Sequence, residues 1–512
     1  MNQELRNTIG QLFMVGFDAL EVNDHIARLI RQQKVGGVIL FRRNVQTPEQ
    51  MTALCRRLQE INAEVSDMPL LIGLDQEGGM VMRIEQGVTP IPSAMAFQSA
   101  GSVEDCEKLN YVSSDEQRQI GINMILAPVL DVNNNHLNPV IGVRAYGEDP
   151  DTVIKYGLAA MRGMQSAGLI ATAKHFPGHG DTDTDSHYAM SVVPHDIERL
   201  HAVELKPFKA AIAAGVDAIM TAHVAFPAIE PEPNLPATLS KAVLTGLLRD
   251  ELNFKGVVIS DCLEMAAISA GVGVAKGAVA TVQAGADIVL VSHLEERQLA
   301  AINAVVQAVE QGAISEERIR ASLQRVQQLK QSAAVREWRN MPLQPQGLMR
   351  PEAMALAKKV QANALVVRGN FRPLDKNLPV ALITVEVRSR TEVDEVAMAR
   401  NKDAPSSMLP ALEEAGINVR EYTLSAEALD DEVAEAIAFA NGAQQIVLQT
   451  YNALLNVGQQ KILAALPHDR LWLVGGRLPY DLDLAPDAQG RLASYGCRPA
   501  ALEPVVNKLV GV

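Results

Sequence analysis

Eight short apolar, β-branched runs with helical stretches between them constrain this chain more than any other feature of its first 292 residues. They are QLFMVGF (11–17), VGGVILF (35–41), LLIGLD (70–75), INMILAP (122–128), LIATAKHF (169–176), VDAIMTAHV (216–224), GVVISD (256–261) and ADIVLVS (286–292). This alternation is expected of βα units around a parallel sheet, because each apolar strand needs a crossover helix before the next. Eight units close a (β/α)8 barrel, and an open doubly wound sheet is the competing arrangement of the same pattern.

At 512 residues the chain exceeds one hydrophobic core of ordinary size, so two domains are expected. The helical stretch AISEERIRASLQRVQQLKQSAA ends the first series, and the proline-bearing RNMPLQPQGLMRPE then leads into another helix. The expected division is a barrel domain over 1–335, a linker with a helix over 336–375 and a smaller α/β sandwich domain over 376–512. In the last part LPVALITVEV, INVREYTL, QQIVLQTY and DRLWLVGG are candidate strands, with a helix in EVAEAIAFANG. That part lacks GxGxxG and GxxxxGK[ST], so no motif supports a nucleotide site there.

Sixty acidic against 46 basic residues leave a formal charge of −14, which gives no attraction for nucleic acid or an anionic membrane. No apolar stretch approaches the roughly 18 residues of a membrane span. The start, MNQELRNTIGQLFMVGF, lacks the cationic and apolar regions of a signal peptide. Cys55, Cys106, Cys262 and Cys497 form no CxxC pair, so neither a zinc knuckle nor a disulfide framework is indicated, and a reduced cytoplasm is the expected location.

Polar residues cluster where the apolar runs stop: Asp75, Lys174 with His175, His223 and Asp261. A barrel gathers the C-terminal ends of its strands on one face, so these groups would converge on one site. Singly, each has a structural reading: a carboxylate after a strand can cap the next helix, and a lone histidine such as His223 can be a hydrogen-bonded core residue. The densest segment, AKHFPGHGDTDTDSH (173–187), carries three histidines and three aspartates in a glycine-containing loop. His and Asp are ligands for zinc, manganese or iron, but the chain has no HExxH and this loop no helical i, i+4 histidine pair. Asp185 and His187 together instead supply a histidine oriented by a carboxylate, which can donate and then accept a proton.

The segment KHFPGHGDTDTDSH resembles the KH[FI]PGHGxxxxDxH loop of glycoside hydrolase family 3 β-N-acetylglucosaminidases. LDQEGG (74–79), VIGVRAYGEDP (140–150), MTAHV (220–224) and FKGVVISDCLEM (254–265) extend that likeness in the family's order over most of residues 1–335. The resemblance implies a retaining exo-acting hydrolase on a barrel, with Asp261 as the nucleophile and His187 with Asp185 as the acid/base pair. It places Asp75, Arg83, Arg144, Lys174 and His175 around the hydroxyl groups of the N-acetyl sugar, and His223 joins them as a candidate substrate-binding residue. It calls for no metal and no organic cofactor. The implied partner is an N-acetylglucosamine-containing oligosaccharide or glycopeptide, such as a muropeptide fragment or a chito-oligosaccharide.

Three positions depart from the pattern. The family's SDDLxM stands here as SDCLEM, with Cys262 for the second aspartate, and GGRVQR stands as GGMVMR, with Met80 and Met82 for polar residues. Substrate specificity is therefore open. Two other functions share these residues: a phosphorylase that delivers the sugar to phosphate, since a histidine acid/base does not repel that anion as a carboxylate would, and a carbohydrate-binding protein without turnover. In some two-domain members of the family the second domain contributes to the pocket; residues 376–512 show no matching motif and no site residue is assigned there, and stabilising the barrel and forming a homodimer interface are the alternative roles.

Overall fold

The computed structural model describes residues 3–182, 190–390, 395–397 and 406–512. Each of the eight apolar runs contains one barrel strand: β1 Phe13–Val15, β2 Gly37–Leu40, β3 Leu71–Leu74, β4 Met124–Ile125, β5 Ile170–Phe176, β6 Ala218–Thr221, β7 Val257–Ile259 and β8 Val289–Val291. Neighbours in the chain pair in parallel, β1 also pairs with β8, and a parallel bridge from Ile259 to Ile288 joins β7 to β8. The closed barrel therefore holds over the open sheet.

The strands are buried throughout, and their inner residues, including Met14, Leu40, Met124, Met220, Ile259 and Leu290, belong to one apolar cluster. Packing around Gly37 is close: a Cβ there would stand 3.1 Å from both the Cβ and the carbonyl oxygen of Leu71 and 2.8 Å from the Met14 Cε, which fits a glycine inside an apolar strand. Helices around the barrel start on side-chain caps. Thr47 accepts the Gln50 N–H before Pro48–Ala63, Asp149 accepts that of Thr152 before Pro150–Ser166, and Ser315 accepts that of Arg318 before Glu316–Leu329. No helix among the described residues is long and apolar enough to cross a membrane.

One buried cation lies outside any site. Lys330, just past Glu316–Leu329, donates to Gln11 Oε1 at 2.9 Å, and burial pushes its ammonium down from the ordinary lysine value to about 7. The native state thus binds fewer protons here than the unfolded chain between about pH 7 and the ordinary lysine range, so stability rises with pH across that window. Below pH 7 both states are protonated and the whole burial cost is present. Lys330→Met is expected to stabilise the protein by about 2–4 kcal/mol at pH 6, the gain shrinking by pH 9. Urea titrations of both proteins at the two pH values test this; a gain independent of pH would place its origin elsewhere.

After the linker, where the Met349 N–H donates to Glu116, the helix Pro351–Ala364 leads into a second sheet. Its strands are β9 Val366–Arg368, β10 Val380–Val385, β11 Val419–Leu424, β12 Gln445–Thr450, β13 Leu471–Gly475 and β14 Gly490–Ala493. They lie in the order β9-β14-β13-β12-β10-β11, all parallel except the β9–β14 pair. Alternate residues face opposite layers. Ile446, Leu448, Leu471 and Leu473 pack with the helix Asp430–Ala440, whereas Val447, Trp472 and Val474 pack with Pro499–Val510. β10 to β13 fall on the four expected runs; β9 and β14 are short and carry arginines, so hydropathy does not single them out.

The second domain sits against loops at the strand ends of the barrel. Met80, Met95, Ile141 and Val143 form one apolar cluster with Val387, Leu478, Tyr495 and Cys497. His136 stacks on Tyr480 at 3.9 Å between centroids, and Tyr480 Oη bonds to Glu148.

Candidate active site

The rim at the ends of β3, β4 and β5 carries a buried charge network. Asp75, directly after β3, accepts from Lys174 Nζ at 2.7 Å and from Arg83 Nη2 at 3.0 Å. Glu77 accepts a fork from Arg144, at 2.8 and 2.9 Å, and a third contact from Lys174 at 2.7 Å. Burial alone would push both carboxyls up. The cations outweigh it: Lys174 and Arg83 hold Asp75 well below the carboxylate range, and Arg144 with Lys174 holds Glu77 at about 2. Burial acts against the charge of Lys174 too, yet Asp75 and Glu77 raise its pKa above the ordinary value.

Two consecutive residues of β5 contribute because the ladder to β6 is irregular between Ala173 and Phe176. Lys174 meets Asp75 and Glu77, while His175 Nδ1 lies 2.7 Å from Asp131 Oδ2 and its Nε2 lies 3.4 Å from Arg144 Nη2. Asp131 also accepts the backbone N–H groups of His175 and His179, and with no exposed surface it anchors the start of the 173–187 segment. Although burial raises its pKa, His175 brings it below the usual value.

Asp261 follows β7, is 7% exposed, and its Oδ1 accepts the Cys262 N–H at 2.7 Å. Its own N–H donates to Thr221 Oγ1. His223 braces this turn, with Nε2 at 2.8 Å from the Cys262 carbonyl and Nδ1 at 2.8 Å from Thr238 Oγ1. The contacts of this ring thus include the backbone beside Asp261 and the Thr238 hydroxyl.

Asp185 and His187 lie outside the described residues. The flanks of their segment are tethered: Asn138 Nδ2 donates to the carbonyls of His179 and Gly180, and Asp181 meets His195 Nε2 at 2.6 Å. Gly180 passes so close to Val132 that a Cβ would stand 1.7 Å from its carbonyl oxygen. Burial lowers the His179 pKa to about 4, which keeps that ring neutral as a Thr182 partner.

The three departures are placed as follows. Met80 belongs to the cluster shared with the second domain, its Sδ 3.6 Å from Cys497 Sγ, and Met82 joins the barrel core. Cys262 accepts from Ser292 Oγ at 3.1 Å. A cavity of about 720 Å³ between the antiparallel hairpin of Gln76–Gly78 with Val81–Met82 and the second domain is lined by Met80, Met82, Met354, Met408 and Arg498 and includes none of the strand-end groups.

Two groupings among the described residues bring possible metal-ligand atoms within 4.8 Å: Cys262 with Glu264 and His293, and Asp181 with His195 and Glu204. Glu264 already accepts the N–H groups of Ser292, His293 and Leu294, and Glu204 accepts from Arg199. Both groupings act as loop braces.

Sequence reasoning missed Glu77 and Asp131. Glu77 stands inside the quoted LDQEGG, and charge balance was the available signal, since Lys174 and Arg144, brought to one barrel rim, need more than one carboxylate.

A family description, Glycosyl hydrolase family 3 N terminal domain, matches residues 4–329. The chain is similar to a beta-hexosaminidase A from Pseudoalteromonas piscicida, 36% identical over 328 residues, which are 60% of this chain and 54% of that protein. It is 37% identical over 290 residues to a beta-hexosaminidase from Stenotrophomonas maltophilia, 56% of this chain and 84% of that protein. Among solved structures, a glycoside hydrolase family 3 beta-N-acetylglucosaminidase from Paenibacillus sp. str. FPU-7 superposes with a TM-score of 0.91 at 44% identity, over 99% of this chain and 96% of that one.

Proposed function

The chain belongs to glycosyl hydrolase family 3, and from that premise we propose that it is a retaining exo-β-N-acetylglucosaminidase acting through Asp261, His187 and Asp185. The observation that carries this reading is the buried network of Asp75, Lys174, Glu77, Arg83 and Arg144 on the barrel rim that also bears Asp261. Fixed, mutually paired charges of this kind offer preorganised donors and acceptors to a sugar ring. Arg83 Nε has no hydrogen-bond partner among the described residues, so it retains a donor for such a ligand.

In the proposed chemistry Asp261 attacks the anomeric carbon while protonated His187 gives its proton to the departing oxygen. The glycosyl–Asp261 ester is then hydrolysed, neutral His187 taking a proton from the attacking water, and the product keeps its β configuration. Asp185 fixes the imidazole tautomer and stabilises its cation. The proposed substrates are muropeptide fragments bearing N-acetylglucosamine, met in the cytoplasm, or short chitin oligosaccharides.

Release of 4-nitrophenol from the β-N-acetylglucosaminide and from the β-glucoside, with and without phosphate, tests this. The expected result is a preference of about 100-fold or more for the N-acetyl sugar, indifferent to phosphate and reduced about 10²–10⁴-fold in His187→Ala. Phosphate-dependent formation of sugar 1-phosphate would replace water as the acceptor, and inactivity on both sugars would overturn the reading.

A further inference from the structure

Two arginines of the second domain each grip one of the two loops that deliver the pocket's guanidinium groups. Arg498 pairs with Glu85 at 2.7 Å through Nη1 and donates to the Met80 carbonyl at 3.2 Å through Nη2. It thereby holds both ends of the segment that contains Arg83. Arg477 donates to the carbonyls of Pro139 at 3.2 Å and Ile141 at 3.3 Å, with Val140 at 3.5 Å. Its guanidinium fills the space over Gly142, where a Cβ would stand 2.9 Å from Nη2, and Arg144 follows two residues later.

We propose that Arg477 and Arg498 are positioning residues for the donor-sugar pocket, so that the second domain sets the placement of Arg83 and Arg144 without touching the sugar itself. This rests on the glycosidase reading above. Glycines at positive φ border both gripped segments, Gly78 and Gly79 at 99° and 55° before Met80 and Gly142 at 50° after Ile141, so neither is stiffened by regular structure alone. Domain adhesion has a separate source in the apolar cluster around Met80, Leu478 and Cys497. Removing one guanidinium therefore loosens a loop without undocking the domain.

Charge makes the Arg498 contact sharper. Glu85 is also paired with Arg42, and its side chain is only 8% exposed. Arg83 stands near enough to act on both of those arginines. Without Arg498, the Glu85 carboxylate is left to Arg42 and Arg83, and any swing of Arg83 toward it is a swing away from Asp75.

The test compares Arg498→Ala, Arg498→Lys, Arg477→Ala and Arg477→Lys with the wild type in steady-state kinetics and in hydrogen exchange. Because Arg83 and Arg144 hold the sugar in ground and transition states alike, KM is expected to rise about 10-fold or more in the alanine variants with kcat within about threefold. Lysine at 498 restores part of the loss, since an ammonium can pair with Glu85 without also reaching Met80; lysine at 477 cannot span three carbonyls and restores little. Exchange should quicken over residues 76–85 in Arg498→Ala alone and over 139–144 in Arg477→Ala alone. Unchanged KM and exchange in the alanine variants would overturn the proposal, as would protection lost evenly along the chain with kcat falling alongside. A wild type inactive on the N-acetylglucosaminide overturns the glycosidase reading instead, and the exchange pattern still decides the positioning.

Discussion

Asp261→Asn is expected to lower turnover of an activated β-N-acetylglucosaminide by about 10⁴-fold or more while leaving the fold in place, the size of effect seen when a nucleophile is removed. The substitution keeps an oxygen to accept the Cys262 N–H, the 2.7 Å contact that fixes the turn after β7, and it adds no volume to a site with 7% exposure. Stability should therefore change by less than about 1 kcal/mol. Chemical rescue separates a nucleophile from a binding group. In Asp261→Gly, azide entering the vacated space attacks from the carboxylate's own face, and the product is the α-glycosyl azide. Nuclear magnetic resonance of that product reads the configuration. A β-azide, or a variant that keeps more than about a tenth of wild-type turnover, would remove Asp261 from the role.

Lys174→Met is expected to damage both stability and activity. Lys174 Nζ lies 2.7 Å from Asp75 and 2.7 Å from Glu77, and its side chain is 3% exposed. Methionine fills the volume but leaves two buried carboxylates with one arginine each, at a cost of about 3–5 kcal/mol at pH 7. The sign of the pH dependence follows from the depressed values. Asp75 and Glu77 contribute stability that is fully present above the ordinary carboxylate range and lost as pH falls toward about 2, where Glu77 titrates. In the variant burial is less opposed, both groups take up protons at higher pH, and the acid unfolding midpoint moves up by about one pH unit. Circular dichroism against pH measures the shift, and kcat/KM should fall by about 10²–10³-fold. An unchanged acid midpoint would mean that Arg83 and Arg144 suffice for the two carboxylates.

The eight barrel strands were legible because a strand buried between sheet and helices must be apolar along its whole length, and a run such as LIATAKHF states that locally. The same rule explains the misses. β4 has only two residues in the ladder, so Asp131, six residues beyond it, sits past the expected strand with nothing local to mark it. β9 and β14 are short, arginine-bearing members of a sheet whose other strands are strongly apolar. The His223 ring, at another strand end, reaches the carbonyl of a residue 39 positions away, a contact that no local pattern marks.

What the sequence by itself determined is whatever depends on near neighbours: strand and helix periodicity, the order of the motifs and hence the family. Partnership was decided only by the tertiary structure. Lys174 meets Asp75 across 99 residues, Arg144 meets Glu77 across 67, and Arg498 reaches the Met80 carbonyl across 418. Barrel closure fixes the first two by setting which strand ends face one another, and docking of a second domain fixes the third. The polar-to-methionine change at Met80 has its physical reason there too, because that side chain faces an apolar domain interface and not the pocket. A charge in a linear sequence specifies only that it needs a partner when buried; the partner it receives is set by the packing of elements far apart in the chain.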